Sequence, residues 1–296
     1  MHLMLTPQIL SSLSQRKIFT VQNFLCEPVE KLIAITTLSF KNALHIKRSL
    51  LSQFAPPIQQ GSTLALGISA PVSSGITRLD TILQGGFYSG TIYEVCSPAG
   101  EGKTQLCHTV AARMRNPVYY LDSKGDYSAL RIIQINSVDA SATLDRILVC
   151  YVDSLIHLIQ VLYDLVSKFE SSSCQETKLV IVDSVPTHFY SLLDSSYNCQ
   201  GYLSQIGNLL KYLAHKHGCI VLTTNLLSIS SEPHEEDRPG MGKYWNHVPN
   251  VRIKMVESND HHVLSIMQTN SRKLKVNQSN SNRINSTSKN HLLKYS

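Results

Sequence analysis

Cys96-Ser97-Pro98-Ala99-Gly100-Glu101-Gly102-Lys103-Thr104 is the stretch on which the reading of this chain turns. An apolar, strand-like segment from Thr91 to Val95 leads into it, and a helix-like one from Gln105 to Met114 leaves it. Small residues ending in Gly-Lys-Thr between a strand and a helix form a phosphate-binding loop. The glycines let backbone N–H groups turn inward around phosphate oxygens, Lys103 reaches the β- and γ-phosphates, and the Thr104 hydroxyl ligands a divalent cation. Ser97 stands where the consensus has its first glycine, which narrows the options of the turn but leaves lysine, hydroxyl and helix N-terminus in place. The expected nucleotide site is therefore Ser97, Pro98, Ala99, Gly100, Glu101, Gly102, Lys103 and Thr104, with ATP and Mg²⁺ as its ligands. An ordinary strand-to-helix turn is the competing reading of the same residues.

Lys178-Leu179-Val180-Ile181-Val182-Asp183-Ser184 supplies the second half of that site. Continuous apolar residues suit a central strand covered on both faces, and a carboxylate at its C-terminal end lies on the rim where phosphates sit. Asp183 is thus expected in the Mg²⁺ shell with Thr104, usually through water. A carboxylate that caps the next turn is the plainer alternative.

The chain has 296 residues, enough for a full core and a small second domain; 43% are apolar and 16% charged. Its net charge is +6, and Arg272, Lys273, Lys275, Arg283, Lys289 and Lys294, all in the acid-free segment 271–296, account for that surplus. The body before the tail is neutral, so overall charge gives no support to a nucleic-acid groove there. The cysteines, at 26, 96, 107, 150, 174, 199 and 219, are odd in number and show no C-x-x-C spacing, which fits a reducing compartment such as cytosol or nucleus. No apolar stretch approaches the roughly 20 residues of a membrane span. His215, His217, His261 and His262 lack a third ligand at suitable spacing and read as ordinary surface or packing histidines.

Residues 1–55 read as a small helical domain, with Thr6-Pro7 as a helix start and Thr20 and Ser39 as further N-caps. The last of its helices is expected to turn Phe40, Leu44 and Leu51 inward and to carry Lys41, His45 and Arg48, with Lys47 beside them, on the outer face. Those cations could touch phosphates or simply be solvated. Residues 56–72 are rich in Pro, Gly and Ser and read as a linker. From Ser73 to residue 270 strands and helices alternate. Strands are expected at Thr91–Val95, Val118–Leu121, Ile147–Val152, Leu179–Asp183, Cys219–Thr224, Val251–Val256 and Val263–Met267. Apolar faces mark helices over 154–169 and 201–216. Such alternation implies an α/β fold with a mostly parallel sheet and helices on both faces. Residues 271–296, dominated by Asn, Ser and Lys, have the composition of a disordered tail.

Several stretches together resemble the RecA-type recombinase family, and within it the eukaryotic Rad51 paralogues. They are Ser74-Gly75-Ile76-Thr77-Arg78-Leu79-Asp80 with Leu83 and Gly85-Gly86, the phosphate loop, Tyr120-Leu121-Asp122-Ser123, the strand ending in Asp183, and Val221-Leu222-Thr223-Thr224-Asn225. The run from Arg238 through Trp245 to Val251-Arg252-Ile253, and Leu38-Ser39-Phe40-Lys41-Asn42-Ala43-Leu44, are similar to the D branch in particular. The resemblance reaches to about residue 273. It implies a RecA-like P-loop ATPase core behind a small all-α domain, and ATP binding in homologous-recombination repair in the nucleus. It also implies a complex with other recombinase paralogues, held through both the N-terminal domain and the core.

The same resemblance exposes two losses. Active members hold a glutamate two residues after the Asp of the second strand to orient the attacking water, where this chain has Lys124. A protonated lysine has no lone pair to act as a base. Active members also place a glutamine after the Thr-Asn pair to sense the γ-phosphate, where this chain has Leu226, which neither donates nor accepts. Asp126 is a nearby carboxylate two residues further along a turn. No catalytic residue is therefore assigned, and hydrolysis is expected to be slow or absent. The second DNA-gripping loop of the family would span Leu227 to Gly242, and Glu232, Glu235, Glu236 and Asp237 there oppose phosphate. The turn Thr36-Thr37-Leu38-Ser39 lacks the glycine of a helix-hairpin-helix. DNA contact is accordingly expected through the complex. Two other functions compete: a DNA-stimulated ATPase that remodels recombinase filaments, and a DNA-binding module acting through the basic tail. Trp245 could stack on a base or anchor packing.

Overall fold

Proline at the first helical position, with a side-chain acceptor before it, starts helix α1 (Pro7–Gln15) in the computed structural model, where Thr6 accepts the Ile9 N–H at 3.4 Å. The structure describes residues 5–16, 18, 21–54, 70–171, 176–189, 199–228, 237–258 and 261–269. These belong to two units, Met1–Gly67 and Ile68–Ser296.

The first unit continues with α2 (Val21–Cys26), α3 (Val29–Ile35) and α4 (Phe40–Phe54). Ser39 caps α4 by accepting the Asn42 N–H at 3.2 Å; Thr20 lies outside the described residues. The inward face of α4 is Ala43, Ile46 and Leu50, packed in a cluster with Ile9, Leu13, Phe24 and Leu32. This corrects the expected face: Phe40 and Leu51 are 55% and 53% exposed, and Leu44 is half-buried. Two apolar lines compete on α4, and the one containing the small Ala43 wins because a methyl side chain lets the helix approach its neighbours closely. Lys41, His45 and Arg48 are exposed, but Lys47 leaves that face to donate its ammonium to the Glu27 carbonyl.

In the second unit the elements are α5 (Thr77–Ile82), β1 (Ile92–Ser97), α6 (Lys103–Arg113), β2 (Val118–Asp122), α7 (Ala129–Ile135), α8 (Ala140–Asp145), β3 (Ile147–Tyr151), α9 (Leu155–Ser171), β4 (Leu179–Asp183), α10 (Pro186–Phe189), α11 (Cys199–His217), β5 (Ile220–Ser228), β6 (Arg238–Pro239), α12 (Gly242–Trp245), β7 (Val251–Ser258) and β8 (His261–Thr269). Seven strands lie in the order β3-β2-β4-β5-β1-β7-β8, and β6 pairs with β5. Pairing is parallel from β3 to β7; β8 and β6 are antiparallel to their neighbours.

Alternation along the strands divides the core in two. Tyr119, Leu121, Val180, Val182 and Val221 face α9 and α11, whose Leu155, Leu158, Leu162, Leu203, Ile206 and Leu210 cover that side. Val118, Tyr120, Leu179, Ile181, Ile220 and Leu222 face the other way, onto Leu79 of α5, Leu106, Val110 and Ala111 of α6 and Ile132 of α7. Strands covered on both faces need unbroken apolar runs, which β4 has. Its residues Leu179 to Val182 are fully buried, each such side chain contributing about 1.5–3 kcal/mol. Strands β1 and β5 run further than expected because Cys96 and Ser97 pair with Asn225 and Leu226. Val72 bridges Phe87, so the end of the expected linker is part of this unit. The sheet order has two consequences. The loop after β1 opens at the middle of the sheet, and Asp122 and Asp183 end neighbouring strands in register.

Candidate functional site

The chain leaves β1 at buried Ser97 and rises through Pro98 to exposed Ala99 and Gly100. It then descends through Glu101 and Gly102 into α6, whose first residues are Lys103 and Thr104. Gly100 and Gly102 have φ of +82° and +84°, the left-handed region that a side chain disfavours, and a Cβ added at Gly100 would meet nothing within 4 Å. Glycine is needed at Gly100 for its backbone conformation rather than for want of space.

Lys103 is 6% exposed and lies along the loop, donating to the Ser97 carbonyl at 3.0 Å, the Ser97 hydroxyl at 3.0 Å and the Pro98 carbonyl at 2.7 Å. Serine in place of the consensus glycine thus supplies an extra acceptor for the lysine. Burial lowers the Lys103 pKa, the positive charge of Lys124 lowers it further, and the carboxylates of Asp183 and Glu101 act against both.

Asp183, 1% exposed at the end of β4, accepts three hydroxyls. Thr104 donates to its Oδ2 at 2.7 Å, Tyr120 to the same oxygen at 3.1 Å, and Thr224 to Oδ1 at 2.7 Å. Burial above all, with the Asp183 carboxylate among the further causes, pushes the Tyr120 phenol far up, so it stays a donor. The structure therefore brings Lys103, Thr104 and Asp183 to one point on the rim. A hydroxyl and a carboxylate at hydrogen-bond distance beside a helix N-terminus have the donor chemistry of a Mg²⁺-phosphate site, and they fit that group.

Asp122, in register with Asp183, behaves differently. Its Oδ1 accepts the N–H groups of Lys124, Gly125 and Asp126 at 3.0, 3.0 and 3.3 Å, and its Oδ2 that of Tyr127 at 2.9 Å. The turn 123–127 is wound around this carboxylate. Lys124 and Asp126 are exposed on it, and the charge of Asp126 is felt by His108 of α6, as are those of Asp183 and Asp122.

Behind the loop, a charged residue that the sequence reading passed over organises β1, β5 and β7. Glu94 is fully buried and accepts Arg252 Nε, Trp245 Nε1, Asn225 Nδ2 at 3.1 Å and the Cys96 thiol at 3.3 Å. Asn225 also donates to the Gly240 carbonyl at 3.2 Å. Burial and then the Glu94 charge push the Cys96 thiol far up. A glutamate inside the apolar run Ile92 to Cys96 was the available signal, because a buried charge demands partners. Trp245 is fully buried in this network and in the apolar core, so it anchors packing. Leu226, half-buried, follows Asn225 and brings no polar group to the rim. Glu232, Glu235 and Glu236 lie outside the described residues; Asp237 pairs with Lys254. The tail 271–296 and most of the linker also lie outside them. Among the described residues no helix is long and apolar enough to cross a membrane.

A family model described as Rad51 matches residues 69–272, and one described as RAD51D, N-terminal domain, matches residues 1–53. The DNA repair protein RAD51 homolog 4 of Bos taurus is 32% identical over 267 residues, covering 84% of this chain and 81% of that relative. Its Mus musculus counterpart is 31% identical over 267 residues, covering 84% and 80%. The DNA repair and recombination protein RadA of Cenarchaeum symbiosum is 30% identical over 203 residues, covering 62% and 49%. The central sheet, the loop at its middle and a match spanning most of the chain carry one conclusion: this chain belongs to the Rad51 family.

Proposed function

We propose that this chain is an ATP-binding recombinase paralogue that acts in homologous-recombination repair in the nucleus, as one subunit of a complex of such paralogues. In this reading residues 1–55 and the core 73–270 each hold a different partner, and DNA is met through the complex. Nucleotide serves chiefly to hold a subunit interface together, with slow or absent turnover. The observation that carries the reading is the convergence of Lys103, Thr104 and Asp183 on the loop after β1. Ser97 through Gly102 would wrap the phosphates, Lys103 would pair with their charge, and Thr104 and Asp183 would hold Mg²⁺. The bound ion would neutralise phosphate charge. No carboxylate stands at position 124 to take a proton from water, and Asp122 is committed to its turn.

Mg-ATP is expected to raise the stability of the intact chain by about 2.7 kcal/mol at a hundredfold excess over its dissociation constant. Lys103→Ala should abolish the shift. A wild-type melt that millimolar Mg-ATP leaves unchanged would overturn nucleotide binding, and robust DNA-stimulated phosphate release would overturn the weak-turnover part.

A further inference from the structure

Four N–H groups on one carboxylate leave little freedom to the turn after β2, so the Cα of Lys124 is fixed two residues beyond the rim. Asp122 lies opposite Asp183 in the β2–β4 register, and Asp183 holds the Thr104 hydroxyl, so this turn stands beside the first turn of α6. The Lys124 side chain is exposed, on a residue whose backbone is pinned. Of the two lysines on these adjacent segments, Lys103 is held by loop oxygens and Lys124 is exposed.

We propose that Lys124 is a second cationic contact for the terminal phosphate of a bound nucleoside triphosphate, so that this site selects triphosphate over diphosphate. The inference rests on the reading of the loop as a nucleotide site. Two like charges near one another repel, and a phosphate group placed between them relieves the repulsion while gaining both attractions. A diphosphate ends short of that position and keeps Lys103 alone. The position where an active relative would hold a carboxylate for water then holds a charge that retains the triphosphate. The site becomes a holder whose occupancy reports the triphosphate state.

The test is equilibrium binding to the full chain of Mg²⁺ with β,γ-imido-ATP, and separately of Mg-ADP, for wild type, Lys124→Met and Lys124→Glu. Methionine keeps most of the length of the side chain and removes its charge. A charge-assisted contact of about 1.5 kcal/mol corresponds to about a tenfold change in affinity. Lys124→Met should lose about that factor for the imido analogue and leave ADP affinity within about twofold; Lys124→Glu should lose more by repulsion. The wild-type preference for triphosphate should shrink as salt rises, and that of Lys124→Met should shrink less. If both variants bind the two nucleotides in the wild-type ratio, the role of Lys124 is overturned while the nucleotide site stands. If wild type binds neither nucleotide, the site reading and this inference fall together.

Discussion

Asp122 and Asp183 end adjacent strands at matching register, and both are nearly inaccessible, at 4% and 1% exposed, yet they carry different duties. Asp122 gives its oxygens to four backbone N–H groups of the following turn. Asp183 gives its oxygens to three side-chain hydroxyls from three different elements, α6, β2 and β5. A backbone donor cannot turn away without unmaking the chain path, whereas a hydroxyl rotates and can exchange a carboxylate for a metal ion or water. Position on the rim is therefore not what makes a carboxylate functional. The kind of donor facing it matters, and here it ties Asp122 to the shape of the turn and leaves Asp183, in the proposed reading, to the nucleotide site.

The sharpest way to break that division is to remove Asp122. Asp122→Ala leaves four N–H groups of an ordered turn without their acceptor. Hydrogen bonds to a charged group contribute about 1.5–3 kcal/mol each and do not add fully, so a loss of about 3 kcal/mol or more is expected in urea unfolding of the chain. If the variant unfolds at the wild-type urea midpoint, Asp122 has no structural duty and the contrast collapses.

Asp183→Asn should cost less in stability and more in function. An amide oxygen still accepts, and the hydroxyls of Thr104, Tyr120 and Thr224 can rotate to accept from the amide nitrogen, so a loss of about 1 kcal/mol is expected. The part of the ATP-induced stabilisation that depends on Mg²⁺ should vanish, because the neutral amide is a poor partner for a hydrated cation. Thermal melts with ATP, with and without Mg²⁺, measure this. Equal Mg²⁺ dependence in the variant and wild type would remove Asp183 from the metal shell.

How far these roles were legible in the sequence follows from the same distinction. That Lys103, Thr104 and Asp183 come together could be read because their placement is set by strand-loop-helix order, and that order survives in the linear pattern. The apolar faces of α9 and α11 could be read for the same reason, and their Leu158, Leu162, Ile206 and Leu210 are buried as the 3.6-residue period requires. The role of Asp122 could not, since it depends on the path of four backbone N–H groups. On α4 two apolar stripes lay side by side, and burial followed the small Ala43 rather than the bulky Phe40, a choice made by the neighbouring helices. Glu94 was missed because its partners come from β5, α12 and β7, far away in sequence.

The smallest expected effect tests both aspartates with one probe. His108 sits on α6, 1% exposed, in ring contact with Tyr120 and Tyr127; its Nε2 accepts the Ser128 N–H at 3.4 Å, which leaves the proton on Nδ1. Burial lowers its pKa below the ordinary 6.5, and the carboxylates of Asp183 and, less strongly, Asp122 pull it partly back. The folded state therefore keeps His108 neutral at pH values where the unfolded chain takes up a proton. Stability attached to this group is full above about pH 6.5 and declines as pH falls from there toward the depressed folded value. Removing a carboxylate removes one of the opposing pulls, so Asp183→Asn should lower the His108 pKa further, and Asp122→Asn should lower it by a smaller amount. Titrating the His108 ring protons by NMR in the three proteins gives the order directly. A larger drop in Asp122→Asn than in Asp183→Asn would mean that the carboxylate of the turn, and not that of the hydroxyl cluster, dominates the field at the start of α6, and the expected order of the two aspartates would be overturned.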